Sequence, residues 1–90
     1  MKISFDPAKR DWTLRERHLD FEEARLVFAR RTFDIVDDRF DYGEKRFISA
    51  GYLRGRIVMI VWTPRGLGRH IISMRKANER EVRKFGPFLS

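Results

Sequence analysis

The chain has 90 residues, enough for one small domain around a single core and too few for a second. Its 20 Lys and Arg outnumber its 13 Asp and Glu, giving a formal charge of +7 that biases it toward RNA, DNA or an acidic protein. There is no cysteine, which excludes disulfides, thiolate metal sites and thiol nucleophiles and suits a reducing cytoplasm.

In chain order, "KISF" reads as a short strand. In the "DP" that follows, Asp6 can cap a helix that Pro7 opens, running to about Arg17. A second helix is expected over about Phe21 to Ala29, with Asp20 and Glu23 at capping-box spacing and Phe21, Ala24, Val27 and Phe28 on one face. From Thr32, "TFDIVDD" alternates as a half-exposed strand does, and "RFDYGEKR" is a connection. "RFISAGYL" and "RIVMIVWT" are strands joined by a tight turn at Arg54-Gly55, the second apolar on both faces and therefore central. "PRGLGR" reads as a loop, "HIISMR" as a last strand, and "KANEREVRKF" as a helix with Asn78 and Glu81 as a cap. The tail from about residue 86, "GPFLS", is expected to fray, or to dock on the domain or a partner.

Strands follow strands and helices gather at the two ends, so the expected class is α+β: a small antiparallel sheet with helices packed on one face. A doubly wound nucleotide fold is disfavoured, because the glycines of "RGLGR" lie between two strands. The longest apolar run, "IVMIVW", is far short of the roughly 18 to 20 residues a membrane span needs, and no membrane partner is expected.

Chemistry could sit in three places. In "MRKANERE", Arg75 and Lys76 at a strand end could grip a phosphate, the first as a planar fork and the second as a point charge, with Ser73 on the strand face of Arg75; the competing reading is a solvated helix start. In "DDRFDYGEKRF", the acids Asp37, Asp38, Asp41 and Glu44 alternate with Arg39, Lys45 and Arg46 and lack the EF-hand pattern, so metal binding is not expected. That segment is either a self-paired loop or a rim on which Arg39, Tyr42, Glu44 and Arg46 face Arg75. In "RERHL", His18 is either a helix-capping cation or a proton-transfer group, whereas His70 reads as packing or hydrogen bonding. Phe21, Phe28, Phe33, Phe47 and Trp62 read as core, while Trp12, Phe40, Tyr42 or Tyr52 could stack on a base.

The order of "FDPAKRDWTLRERHLDFEEARLVF", "DDRFDYGEKRF", "RIVMIVWTPRG" and "RHIISMRKANERE" resembles the BrnT family of small bacterial toxins, from about Phe5 to Glu81. The chain departs from that family's common Lys-His-Gly at Arg17-His18-Leu19. The resemblance implies a RelE-like ribonuclease fold and RNA cleavage that inhibits translation, on the ribosome or on free RNA. It also implies neutralisation by a cognate BrnA-like ribbon-helix-helix antitoxin in a hetero-oligomeric complex. Carried over by motif, the site residues are Arg39, Asp41, Tyr42, Glu44 and Arg46 from the middle segment and Ser73, Arg75, Lys76 and Glu79 from the last. Cleavage without a metal or cofactor needs the 2′-hydroxyl deprotonated, the phosphorane stabilised and the 5′-oxygen protonated. Arg75 with Arg39 or Arg46 suits the middle task, and Glu44, His18 and Tyr42 are candidates for the proton transfers. A reading from a different class is a non-catalytic basic module that binds nucleic acid or an acidic protein, with affinity falling steeply in salt.

Overall fold

The computed structural model describes residues 1–89. Strand β1 (Ile3–Phe5) leads at once into helix α1 (Pro7–Arg17). Asp6 accepts from the Ala8 N–H at 2.9 Å, satisfying a donor that the first turn leaves orphaned, and Pro7 takes the position where no N–H is required. The helix stops at His18, which adopts the left-handed conformation (φ 58°) while its N–H closes on Leu14 O.

The expected second helix is split. A 3₁₀ turn, Phe21–Glu23, precedes a short α2 (Ala24–Phe28). Asp20 caps the turn through Glu22 N–H and also holds Arg10 with two hydrogen bonds of 2.8 and 2.9 Å. The capping box does not close, because Glu23 is drawn away to pair with Arg54.

Strands β2 (Phe33–Val36), β3 (Phe47–Leu53), β4 (Arg56–Arg65) and β5 (Gly68–Lys76) then form one sheet in the order β1-β5-β4-β3-β2, with helix α3 (Glu79–Leu89) after it. The strand that is apolar on both faces, β4, is the central one. The α+β class holds, and two details are corrected. The sheet is mixed, since β1 lies parallel to β5, pairing Ile3 with Arg69 and Phe5 with Ile71. Nor do the helices share one face. Along β4, Val58, Ile60 and Trp62 pack into a core with Leu19, Phe21, Ala24 and Val27. The alternate residues Ile57 and Met59 meet Phe85 and Leu89 of α3 in a second core with Ala50. Side chains alternate across a strand, so a β4 apolar on both faces needs cover on both, and each aliphatic fully buried there contributes about 1.5 to 3 kcal/mol.

"PRGLGR" is also corrected: β4 runs through Pro64 to Arg65, and only Gly66 and Leu67 turn before β5 begins at Gly68. Pro64 is tolerated because β3 has already ended, its last pairing being Phe47 with Trp62, so one flank of β4 asks for no N–H. At Gly68 an added Cβ would stand 2.6 Å from Lys2 O, so glycine lets the N-terminal strand approach. The other hairpin, at Arg54-Gly55, has both residues at positive φ (50° and 76°), the type I′ geometry that matches strand twist.

The final cap forms reciprocally: Glu81 N–H donates to Asn78 Oδ1 at 2.9 Å and Asn78 N–H to Glu81 Oε1 at 3.0 Å. Residues 86–89 of the tail dock on the domain, and Ser90 lies outside the described residues. The helix continues through Pro87, Leu89 is buried, and Phe88 packs on Phe33 at 4.9 Å between ring centroids.

Candidate active site

On the α3 face, the sheet continues beyond the helix. A β-bulge between the Val61 and Trp62 pairings shifts the phase of β5. Ser73 lies opposite Val61 and Arg75 opposite Met59, but Ile71 falls to the other face with Trp62, and His70, opposite Thr63, takes its place. Asp37 N–H donates to Arg46 O at 2.8 Å, extending the β2–β3 pairing by one step, so that Arg46 lies in phase with Ile48 on the same face. Arg46, His70, Ser73 and Arg75 therefore line one surface, rimmed by the connection between β2 and β3.

That connection is built around a buried carboxylate. Asp37, whose side chain is 1 % exposed, accepts from Arg39 Nε (2.7 Å), Arg39 Nη2 (2.9 Å) and the Tyr42 hydroxyl (3.3 Å). The Arg39 guanidinium holds its carboxyl below the ordinary carboxylate range, outweighing the burial that pushes it up. The Arg46 guanidinium lies 3.9 Å from the Tyr42 ring centroid and donates through Nε to Glu44 Oε2 at 3.0 Å, while Arg65 stands 3.9 Å from the other Glu44 oxygen. Phe40 packs edge-on against Tyr42 and remains 72 % exposed. Asp41 accepts from Gly43 N–H at 3.0 Å, shaping the turn from within.

Arg75 donates twice to Glu81, at 2.7 and 2.8 Å. The pair raises the guanidinium and pulls the Glu81 carboxyl down to about 2, with desolvation opposing and the Asn78 N–H assisting. The positive charge of Arg39 acts on the Arg75 guanidinium in the opposite sense to Glu81.

The other expected residues lie elsewhere. Lys76 is opposite Val58, on the reverse face from Arg75, so the adjacent pair does not form one grip. Although in phase with Arg75, Ser73 lines a groove of about 350 Å³ against α1, with Lys9, Trp12, Arg17 and Ile72. Glu79 is exposed on α3, 3.9 Å from Arg83. His18 caps α1 and is exposed.

Two contributors were not expected. Asp37, one of the acids of a segment read as self-paired or as a rim, was not singled out as a site residue and is the anchor of that rim. His70 was read as packing or hydrogen bonding, and it does bond Ser4, its Nδ1 lying 2.9 Å from the hydroxyl, yet the bulge also brings it to the arginine surface. Its position opposite Thr63 carries no local sequence signal. Burial, then Arg65, lowers the imidazole from its ordinary value, with Lys9 acting the same way and Glu44 and Asp6 against.

The family model described as ribonuclease toxin, BrnT, of type II toxin-antitoxin system matches residues 5–81. No curated protein matches the chain.

Proposed function

The chain belongs to the BrnT family of ribonuclease toxins of type II toxin-antitoxin systems, and on that premise we propose that it is a metal-independent endoribonuclease using the Arg39, Arg46 and Arg75 surface. The observation that carries this reading is the placement of Arg46 and Arg75, from two distant segments, on one face of the sheet, with Arg39 held by Asp37 in the connection beside Arg46.

RNA cleavage through the 2′-hydroxyl passes through a crowded dianionic phosphorane, and cations already held in place stabilise it without reorganising. Asp37 fixes Arg39 and Glu44 fixes Arg46, so the partners of these arginines supply that preorganisation. Because those carboxylates are engaged by guanidiniums, they are poorly disposed to hold a divalent cation. Glu81 occupies Arg75 in the absence of substrate, and a phosphate would compete with it for the same fork. Phe40, exposed beside the arginines, is the aromatic best placed to stack on a base. Cleavage of messenger RNA in the cytoplasm would inhibit translation. A ribbon-helix-helix antitoxin would neutralise the toxin by covering part of the basic face, with fast, salt-sensitive association.

The test is RNA cleavage by antitoxin-free protein in excess EDTA, with the parent, Arg75→Ala and Arg46→Ala side by side and growth arrest scored in cells. Cleavage by the parent leaving a 2′,3′-cyclic phosphate, lost in both folded variants together with the arrest, is the expected result. Folded variants that cleave and arrest growth as fully as the parent would refute the site. RNA binding without new ends would instead support a non-catalytic module.

A further inference from the structure

Three groups were natural candidates for moving protons in this cleavage, and the geometry weakens each. The Tyr42 hydroxyl is directed to Asp37, the Glu44 oxygens are engaged by Arg46 and Arg65, and His18 is the exposed C-cap of α1. On the arginine face Glu81 is taken up by Arg75, whereas His70 is a titratable group hydrogen-bonded to a neutral hydroxyl.

Resting on the ribonuclease reading above, we propose that His70 is the general base of the cleavage, its Nε2 accepting the proton of the 2′-hydroxyl. Four observations support it. The β-bulge places His70 opposite Thr63, on the face shared by Arg75 and Arg46. Its Nδ1 is held by the Ser4 hydroxyl at 2.9 Å, and among the described residues Ser4 is its one hydrogen-bond partner. Ser4 Oγ is able to accept Nδ1–H, and the proposal requires that tautomer, in which Nε2 carries the lone pair. The ring is half-buried, so it is partly shielded from bulk water.

The surroundings set its charge from several elements. Arg65 of β4 and Lys9 of α1 disfavour the imidazolium, as does burial, while Glu44 of the β2–β3 connection and Asp6 before α1 favour it. The balance lowers the imidazole below its ordinary value and so favours the neutral form that a base requires. The step is a transesterification. His70 takes the proton from O2′ as the O2′–P bond forms, the P–O5′ bond breaks, and the 5′-oxygen takes a proton from water. The products are a 2′,3′-cyclic phosphate and a 5′-hydroxyl, and His70 returns its proton to solvent.

The experiment is single-turnover cleavage against pH in EDTA, with RNA free and ribosome-bound, for the parent, His70→Gln and His70→Ala with and without added imidazole. The parent rate should rise with pH along one titration centred below pH 6.5 and then level off. His70→Gln should be slower by about 10²- to 10⁴-fold and lose that rise, and imidazole should restore part of the His70→Ala rate. A folded His70→Gln with the parent's rate and profile overturns the proposal alone. A slow variant that keeps the parent's profile, with no imidazole rescue, assigns His70 a structural role and also overturns it. If neither variant folds, a parent profile without that titration overturns it. Failure of the parent to cleave either form of RNA overturns this proposal together with the ribonuclease reading.

Discussion

Replacing Glu81 with Gln isolates one ion pair from the cap in which it takes part. Glutamine can still accept from the Asn78 N–H, as glutamate does at 3.0 Å, so the capping box survives while the charge facing Arg75 is removed. A carboxyl lowered from 4.5 to about 2 corresponds at full strength to about 3 kcal/mol of native-state stabilisation. The Arg75 side chain is 46 % exposed, however, and solvent screening at such a pair reduces the expected cost of Glu81→Gln to about 1 kcal/mol. In a domain of this size that is a fall of about 4 to 8 °C in melting temperature at pH 7. The sign with pH follows from the direction of the shift. The folded-state pKa is depressed, so the contribution is fully present above 4.5 and is lost as pH falls toward 2. Urea unfolding of parent and variant at pH 7 and again near pH 2.5 should show a gap that narrows on acidification. An equal gap at both values would show that Glu81 acts through packing, and no gap at pH 7 would refute the reasoning altogether.

Ser49→Ala should cost about 1 to 3 kcal/mol, since it strands the buried Trp62 Nε1–H that now donates to Ser49 Oγ at 2.8 Å; the urea midpoint should fall with an unchanged slope. Gly51→Ala would place a Cβ 2.6 Å from Val27 Cγ1, an overpacking cost of about 1 to 3 kcal/mol in thermal melts, which Val27→Ala should partly relieve. Phe40→Ala should leave stability within about 0.5 kcal/mol, yet weaken single-stranded RNA binding by about 1 to 3 kcal/mol in an anisotropy titration. Unchanged affinity would remove Phe40 from the interface.

What could be read from the sequence was local. Asp6-Pro7, the Asn78 and Glu81 box, and the Arg54-Gly55 turn each bond within a few residues, so spacing alone encodes them. The helices' distribution over two faces was also present in the sequence, because a strand such as "IVMIVW" implies cover on both sides, but the expectation of a one-faced packing did not use it. "PRGLGR" misled because two glycines and a proline resemble a loop, whereas what the proline requires is an unpaired flank, set by where β3 ends. In the site, the motif segments named the arginines but not the side chains that hold them. Arg75 meets Glu81, not Glu79, and Lys76 is turned away by simple strand alternation. His70 depends on a bulge, and an extra residue in one strand becomes visible only against its partner strand.

The parallel pairing of β1 with β5 joins the first strand of the chain to the last, Ile3 lying beside Arg69. During synthesis from the N-terminus, β1 must wait for β5, its one strand partner among the described residues, until residues 69–71 have been made. The segment that completes the sheet also carries His70, Arg75 and Glu81. A nascent chain halted before residue 69 would therefore expose an unpaired β1 and lack half of the arginine surface. Completion of the sheet and arrival of the later half of the candidate site are thus one event, coupled by topology.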